Sequence, residues 1–152
     1  MDVVLNEDQL SLKEMAKQFA EREVAPRASE IDQNHRFPEE LFAMMAEQGF
    51  TGLCTPEDYG GSGGDDVDKI IVVEEIAKKC ASTAGTLAIH LGFAYLIQQY
   101  GTEEQKRKYL PKVGTEGHLA AFALTEPGAG SDAGAARTTA ILDETTGEYV
   151  IN

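Results

Sequence analysis

The stretch from Ser82 to Tyr100, STAGTLAIHLGFAYLIQQY, contains no Lys, Arg, Asp or Glu. Apolar or small residues occupy every face that a helix of this sequence would present, and such a helix is normally buried among neighbouring elements. Gly101 follows as a helix stop signal. The stretch therefore predicts a buried central helix and a mainly α-helical fold.

Four further helices are predicted around this one. Asn6 can cap the first of them, with Gln9 at the third helical position to complete a capping box. Pro26 is expected to kink or divide that helix, because proline has no N–H to donate. A second helix is predicted from Phe37-Pro38 to Gly49, with proline in its first turn.

The glycine-rich run Gly60–Gly64 precedes the third predicted helix. It does not match a phosphate-binding loop, because no GK[ST] follows and Asp66 takes the last glycine position of GxGxxG. We interpret the run as a flexible turn, with Asp65 or Asp66 capping the helix. Glu74 and Glu75 on that helix are expected to face solvent and form ion pairs.

The fifth predicted helix runs from Glu103 to about Leu110, with Thr102 and Gln105 forming its capping box and Pro111 closing it. After this helix the composition changes from helical to strand-like. The segment from Leu119 to Leu124 is predicted to be a short buried strand.

Two more strands are expected near the end of the sequence. Alternating residues over 138–142 and the run 149–151 predict strands joined by a turn at 143–147. We therefore predict a helical domain over residues 1–117 and the start of a β domain over 118–152. Three short strands make a poor domain alone, so we expect the sequence to be part of a longer protein.

The charge of the chain is strongly acidic, at −13, with 26 acidic and 13 basic residues. This charge argues against nucleic acid or an anionic membrane as a partner. Neither a signal peptide nor a membrane-spanning run is recognisable. With only two cysteines, Cys54 and Cys80, at no metal-like spacing, we expect a soluble cytoplasmic protein in a reducing compartment.

Few residues show a spacing suited to catalysis. His35, His90 and His118 lie far apart, without carboxylates or cysteines at ligand spacing, so no metal site is predicted. His90 is interpreted as a core histidine with its hydrogen bonds satisfied. No serine lies in a GxSxG setting, which gives a hydrolase triad no support.

The segment from Phe122 to Asp132, FALTEPGAGSD, is a stronger candidate for a functional site. Gly128 and Gly130 would allow a tight turn and the close approach of a ligand, and successive amides could bind phosphate oxygens. Thr125 and Ser131 add hydroxyl groups. An ordinary Pro-Gly turn with an aspartate cap explains the same composition, and from the residues alone both interpretations stand.

This segment resembles the first signature of the acyl-CoA dehydrogenase family. Its context is also similar to that family, because four motifs occur in the same order and spacing over essentially the whole chain. The supporting motifs are YGGSGG at 59–64, the pair Glu74-Glu75, and GTEEQK at 101–106 followed by YLP at 109–111. DAGAARTTA at 132–140 looks most like the short-chain, butyryl-type branch.

The resemblance implies a helical domain, a β domain and a second helical domain, with FAD held between them. It implies FAD contacts from ten residues: Phe122, Ala123, Leu124, Thr125, Glu126, Pro127, Gly128, Ala129, Gly130 and Ser131. Ser131 would also contact the CoA portion of the substrate. The charge-free helix would line the acyl pocket, with Gly85, Ala88, Gly92 and Ala94 setting its space.

The reaction implied is FAD-dependent α,β-dehydrogenation of acyl-CoA thioesters, with electrons passed to an electron-transfer flavoprotein and a homotetramer as the usual assembly. The resemblance places the catalytic glutamate beyond Asn152, so no catalytic residue is assigned here and the chain alone is expected to be inactive. A flavin-dependent monooxygenase of the same architecture and a non-catalytic helical interaction module remain as alternatives.

Overall fold

The computed structural model describes residues 4–152, and over that range the chain is mainly helical with one terminal hairpin. This agrees with the predicted fold class. The helices are α1 (Glu7–Phe19), α2 (Ala25–Asn34), α3 (Glu39–Glu47), α4 (Asp66–Ala77), α5 (Ala81–Tyr100) and α6 (Glu103–Gly114). The strands are β1 (Ala140–Asp143) and β2 (Glu148–Ile151).

The first helix begins with the predicted capping box. The Asn6 side chain accepts the Gln9 N–H at 2.8 Å, and the Gln9 side chain accepts the Asn6 N–H at 3.2 Å. Ahead of Pro26 the chain widens into a π-helical turn, Ala20–Val24, that joins α1 to α2. The backbone stays helical through this turn, so the proline is accommodated by a local widening and the helix is not divided as predicted.

The core forms where α1 packs on α4, α4 on α5, and α5 on α6. One face of α5 is fully buried, including Leu87, His90, Leu91 and Ala94. Its opposite face is open, and Ile89 there is 51% exposed. The prediction that α5 is buried all round is thus wrong within the described chain, because α4 and α6 cover only one side of it.

The glycine-rich run is a hydrogen-bonded structure, which corrects its interpretation as a flexible turn. The Gly63 N–H donates to the Thr55 carbonyl at 2.9 Å, and the Gly64 N–H donates to the Leu53 carbonyl at 2.8 Å. A Cβ added at Gly61 would overlap the backbone and side chain of Thr55. Glycine is therefore needed at position 61 for close backbone packing.

Helix α4 confirms one prediction and corrects another. Asp65 caps the helix by accepting two backbone amides of its first turn. Glu74 is exposed and pairs with Lys78 as predicted, but Glu75 is only 4% exposed. Its carboxylate lies 2.8 Å from Lys78 Nζ and 3.9 Å from Lys13 Nζ, because α1 packs over this face of α4 and brings Lys13 to it.

Helix α6 begins with the predicted capping box between Thr102 and Gln105. It does not close at Pro111 but continues to Gly114. The added turn is held by tertiary contacts: Val113 is buried, and the Thr51 hydroxyl donates to the Gly114 carbonyl at 2.9 Å. These contacts offset the single hydrogen bond that Pro111 removes from the helix.

The interpretation of His90 as a satisfied core histidine is confirmed. The residue is 1% exposed, and both ring nitrogens have partners. The Ala120 N–H donates to Nδ1 at 3.2 Å, so Nε2 carries the proton and donates to the Val113 carbonyl at 2.9 Å. Burial lowers the pKa of the His90 imidazole, which keeps this neutral tautomer.

The chain divides into two compact units, one ending at Ala121 and the other Phe122–Asn152. The predicted boundary after residue 117 lies four residues earlier, and the start of a larger β domain at 118 stays a prediction. In the second unit β1 and β2 pair antiparallel, with Ala140 opposite Ile151, around the predicted turn.

The predicted strand from Leu119 to Leu124 is absent from the described chain. Leu119, Phe122 and Leu124 are 48%, 56% and 49% exposed, so the segment is also not buried. A strand needs a partner for its backbone groups, and residues 4–152 provide none for this segment.

Over the same range, no helix is both long and apolar enough to cross a membrane.

The glycine packing can be tested by adding one methyl group at two glycines. We expect Gly61→Ala to lower the free energy of unfolding by about 1–3 kcal/mol or more, because the new Cβ meets Thr55 backbone. Gly85→Ala is the matched control, since an added Cβ there meets nothing within 4 Å. It should stabilise the helix by about 0.5–1 kcal/mol. Urea denaturation followed by circular dichroism measures both, and equal effects would contradict the packing argument.

Candidate functional site

The candidate segment Phe122–Ser131 contains a tight turn at Pro127-Gly128. Glu126 and Ala129 flank this turn and exchange two backbone hydrogen bonds, of 2.9 Å from the Glu126 N–H and 3.1 Å from the Ala129 N–H. Ala129 is also buried, at 4% exposed. The turn is therefore part of a defined local structure within the second unit.

The two glycines of the segment are not needed for that local structure. Neither Gly128 nor Gly130 has a positive φ, and a Cβ added at either would meet nothing within 4 Å. The turn forms as predicted, but it does not depend on glycine at either position. The surface around these residues is open to close approach by a bound group, which is the other role predicted for them.

Glu126 holds the segment in place through its carboxylate. Its two oxygens accept the backbone N–H groups of Arg137, at 2.8 Å, and Thr138, at 2.9 Å. Hydrogen bonds from Thr138 and Arg137 hold the pKa of Glu126 below its ordinary value. The family resemblance implies a cofactor contact from Glu126, but in the structure its carboxylate binds backbone amides of the same unit. The sequence around Glu126 does not predict this acceptor role, because the donors lie eleven and twelve residues away.

The remaining donors of the segment are available for a ligand. Thr125 and Ser131 are exposed. Within residues 4–152, the backbone N–H groups of Leu124, Thr125, Gly130 and Ser131 donate to no protein acceptor. The segment therefore presents hydroxyl and amide donors with no charged side chain required, a donor set suited to carbonyl and phosphate oxygens.

The small residues of α5 fall into two groups. An added Cβ at Gly85 or Gly92 meets nothing within 4 Å, and Ala88 is half-buried, so these three lie on the open face of the helix. Ala94 is fully buried in a cluster with Leu110 and Val113. Three of the four predicted pocket residues are thus accessible, and Ala94 belongs to the core.

A metal site is not found in the part of the chain that the structure describes. Over residues 4–152, no group of His, Cys, Asp or Glu side chains is arranged to hold a metal ion. Cys54 and Cys80 are both free thiols, and the Cys80 Sγ accepts a hydrogen bond from the Thr83 hydroxyl at 3.1 Å.

Comparison with known families decides what kind of protein carries this segment. Residues 6–116 match the family model described as acyl-CoA dehydrogenase, N-terminal domain. The chain belongs to the acyl-CoA dehydrogenase family. The resemblance drawn from four sequence motifs is thereby confirmed, and so is the assignment of the fold to the helical amino-terminal region of that family.

Several members of this family are similar over essentially the whole chain. The acryloyl-CoA reductase (NADH) of Anaerotignum propionicum is 55% identical over 152 residues, which are 100% of this chain and 39% of the relative. The structure of butyryl-CoA dehydrogenase from Megasphaera elsdenii is 38% identical with a TM-score of 0.90, covering 100% of this chain and 40% of that one.

An acyl-CoA dehydrogenase from Bacillus anthracis, solved in complex with FAD, is 37% identical with a TM-score of 0.89. The alignment covers 97% of this chain and 26% of that one. The chain therefore spans about two fifths or less of the length of these relatives.

The Glu126 contacts predict a pH-dependent structure in this segment. Because hydrogen bonds lower the folded-state pKa of Glu126, these contacts should be complete above the ordinary carboxyl pKa of 4.5 and be lost as the pH falls through the lower folded value. In NMR titrations, the Arg137 and Thr138 amide protons should shift together with a midpoint below 4.5. Glu126→Gln should remove that shared titration, and a midpoint at or above 4.5 in the unsubstituted chain would contradict the geometry.

Proposed function

We propose that this chain provides the helical acyl-CoA-binding region and part of the FAD site of an acyl-CoA dehydrogenase that oxidises acyl-CoA thioesters at the α and β carbons. The observation that carries the proposal is the family match over residues 6–116, continued by an exposed segment with free hydrogen-bond donors. The family match favours this function over the monooxygenase and interaction-module alternatives.

The donor set of Phe122–Ser131 fits FAD as its cofactor. The Thr125 hydroxyl and the amide near Leu124 would bond the pyrimidine edge of the flavin, and Ser131 would donate to pyrophosphate oxygens and contact the CoA portion of the substrate. Gly128 and Gly130 leave space for the cofactor to approach the backbone. When bound, FAD supplies the acceptor for the hydride from the β carbon.

The residues of this chain would contribute to the reaction by binding FAD and orienting it. The Thr125 hydroxyl and the amide near Leu124 would hold the pyrimidine edge of FAD and would favour negative charge there. Glu126 keeps the segment in this conformation through its bonds to Arg137 and Thr138. We assign no catalytic base within the chain, and we propose that the base belongs to the part of the family not represented in it.

The open face of α5 is proposed to line the pocket for the acyl chain. Gly85, Ala88 and Gly92 leave room there, whereas Ala94 packs in the core. We propose a short acyl chain as the substrate. Similarity to an acryloyl-CoA reductase and a butyryl-CoA dehydrogenase supports that substrate class.

Reduction of a short enoyl-CoA is a second candidate for the physiological direction. The acryloyl-CoA reductase is 55% identical to this chain, and the reverse reaction uses the same flavin and thioester contacts. For the oxidative direction we propose an electron-transfer flavoprotein as the partner. We further propose a homotetramer located in the cytoplasm, involved in fatty-acid metabolism.

The cofactor assignment is tested by Gly130→Ala in the full-length protein that contains this sequence. The added methyl group meets no protein atom within 4 Å, so the FAD-free protein should keep its melting temperature. The same methyl group should obstruct the cofactor and raise the Kd for FAD about tenfold, because overpacking of a fitted contact costs about 1–3 kcal/mol.

Gly134→Ala serves as the matched control for this experiment. Gly134 lies in the same unit but outside the proposed cofactor segment, and a Cβ there makes only an ordinary contact, 3.5 Å from Asp132. FAD affinity should remain unchanged in this variant. Wild-type protein that fails to bind FAD, or equal affinity in both variants, would remove the segment from the cofactor site.

The acyl pocket is tested by placing leucine at an open and at a buried position of α5. Gly92→Leu should shift specificity towards shorter acyl-CoA substrates, with discrimination of about 1–3 kcal/mol for each excluded methylene. Ala94→Leu should instead lower stability by about 1–3 kcal/mol and leave the relative chain-length preference unchanged. The kcat/KM values for a series of acyl-CoA chain lengths, together with melting curves, distinguish these effects. Unchanged specificity in Gly92→Leu would exclude this face from the pocket.

A further inference from the structure

Two backbone amides among the last residues of the helical unit donate hydrogen bonds. The His118 N–H donates to the Lys112 carbonyl at 3.1 Å, and the Ala120 N–H donates to His90 Nδ1 at 3.2 Å. Ala120 is half-buried against the cluster formed by Ala94, Leu110 and Val113. The His90 contact is thus the last hydrogen bond of the helical unit before the segment that begins at Phe122.

The His90 ring joins three parts of the helical unit. It projects from α5, donates from Nε2 to the Val113 carbonyl of α6 at 2.9 Å, and accepts the Ala120 N–H. Phe42 of α3 packs against it edge-on, with ring centroids 6.3 Å apart. With 1% exposure and both nitrogens engaged, the ring has one orientation and one tautomer compatible with its partners.

Packing of the core explains only one of the two hydrogen bonds that the His90 ring makes. The bond to Val113 joins two packed helices and closes the core. The bond to Ala120 instead holds a backbone amide in a non-helical segment, two residues before the proposed cofactor contacts begin. Because His90 Nδ1 holds the Ala120 amide, it also restricts the backbone conformations open to the residues that follow Ala120.

We propose that His90 is a positioning residue for the flavin segment, acting through the hydrogen bond between its Nδ1 and the Ala120 amide. The inference rests on the proposed function of Phe122–Ser131. Loss of this hydrogen bond allows residues 118–121 to sample more conformations, so a larger entropic cost accompanies cofactor binding. His90 itself contacts neither cofactor nor substrate in this proposal.

Two variants at position 90 separate the hydrogen bonds. The amide of asparagine reaches about the position of Nδ1, so His90→Asn keeps an acceptor for the Ala120 N–H and loses the donor to Val113. The longer glutamine reaches about the position of Nε2, so His90→Gln keeps the donor to Val113 and loses the acceptor for Ala120. Each variant loses one buried hydrogen bond, which matches their costs in stability.

The experiment uses the full-length protein and compares melting temperature, FAD Kd and the visible circular dichroism of bound flavin. His90→Gln should raise the Kd about threefold to tenfold, the value of one lost hydrogen bond, and change the flavin spectrum. His90→Asn should have a similar melting temperature but near wild-type flavin properties. In FAD-free protein, hydrogen exchange over residues 118–124 should accelerate in His90→Gln alone.

Changes in FAD Kd that follow stability equally in both His90 variants would overturn the positioning role. Wild-type protein that binds no FAD would instead contradict the proposed function, and this inference would fall with it.

Discussion

The close approach of the backbone at Gly52 to the end of α6 is the constraint on which the helical unit depends. A Cβ at Gly52 would stand 2.7 Å from the Gly114 carbonyl oxygen, and the neighbouring Thr51 hydroxyl donates to that same oxygen. This approach holds the last turn of α6, including the Val113 carbonyl that accepts the His90 proton. The arrangement of α5, α6 and the chain up to Ala120 therefore follows from two backbones meeting without side chains between them.

The parts of the fold that sequence predicts correctly depend on contacts between near neighbours. The capping boxes at Asn6 and Thr102 each join residues three apart, and the cap at Asp65 lies within one helical turn, so the pattern contains both partners. The burial of Glu75 depends on a lysine from another helix, and the passage of α6 through Pro111 depends on contacts with Thr51. No local pattern contains those partners.

The candidate site shows the same limit in a different form. Composition identified the segment at Phe122–Ser131 but left its role open, and similarity to a family was needed to suggest FAD. The contacts of individual residues depend on the folded chain: Glu126 accepts amides eleven and twelve residues away, and Gly128 and Gly130 have no positive φ. Since the fold does not require glycine at positions 128 and 130, space for a ligand is the better explanation of these two glycines.

The hairpin formed by β1 and β2 has a practical consequence for handling this chain. Among residues 4–152 its sheet contains two strands, and both outer edges present backbone N–H and C=O groups without a neighbouring strand. Ile141, Tyr149 and Ile151 on this hairpin are 62%, 65% and 70% exposed. Exposed edges bearing large apolar side chains pair readily with other chains. We therefore expect the hairpin edges to take part in self-association of the 152-residue polypeptide at high concentration.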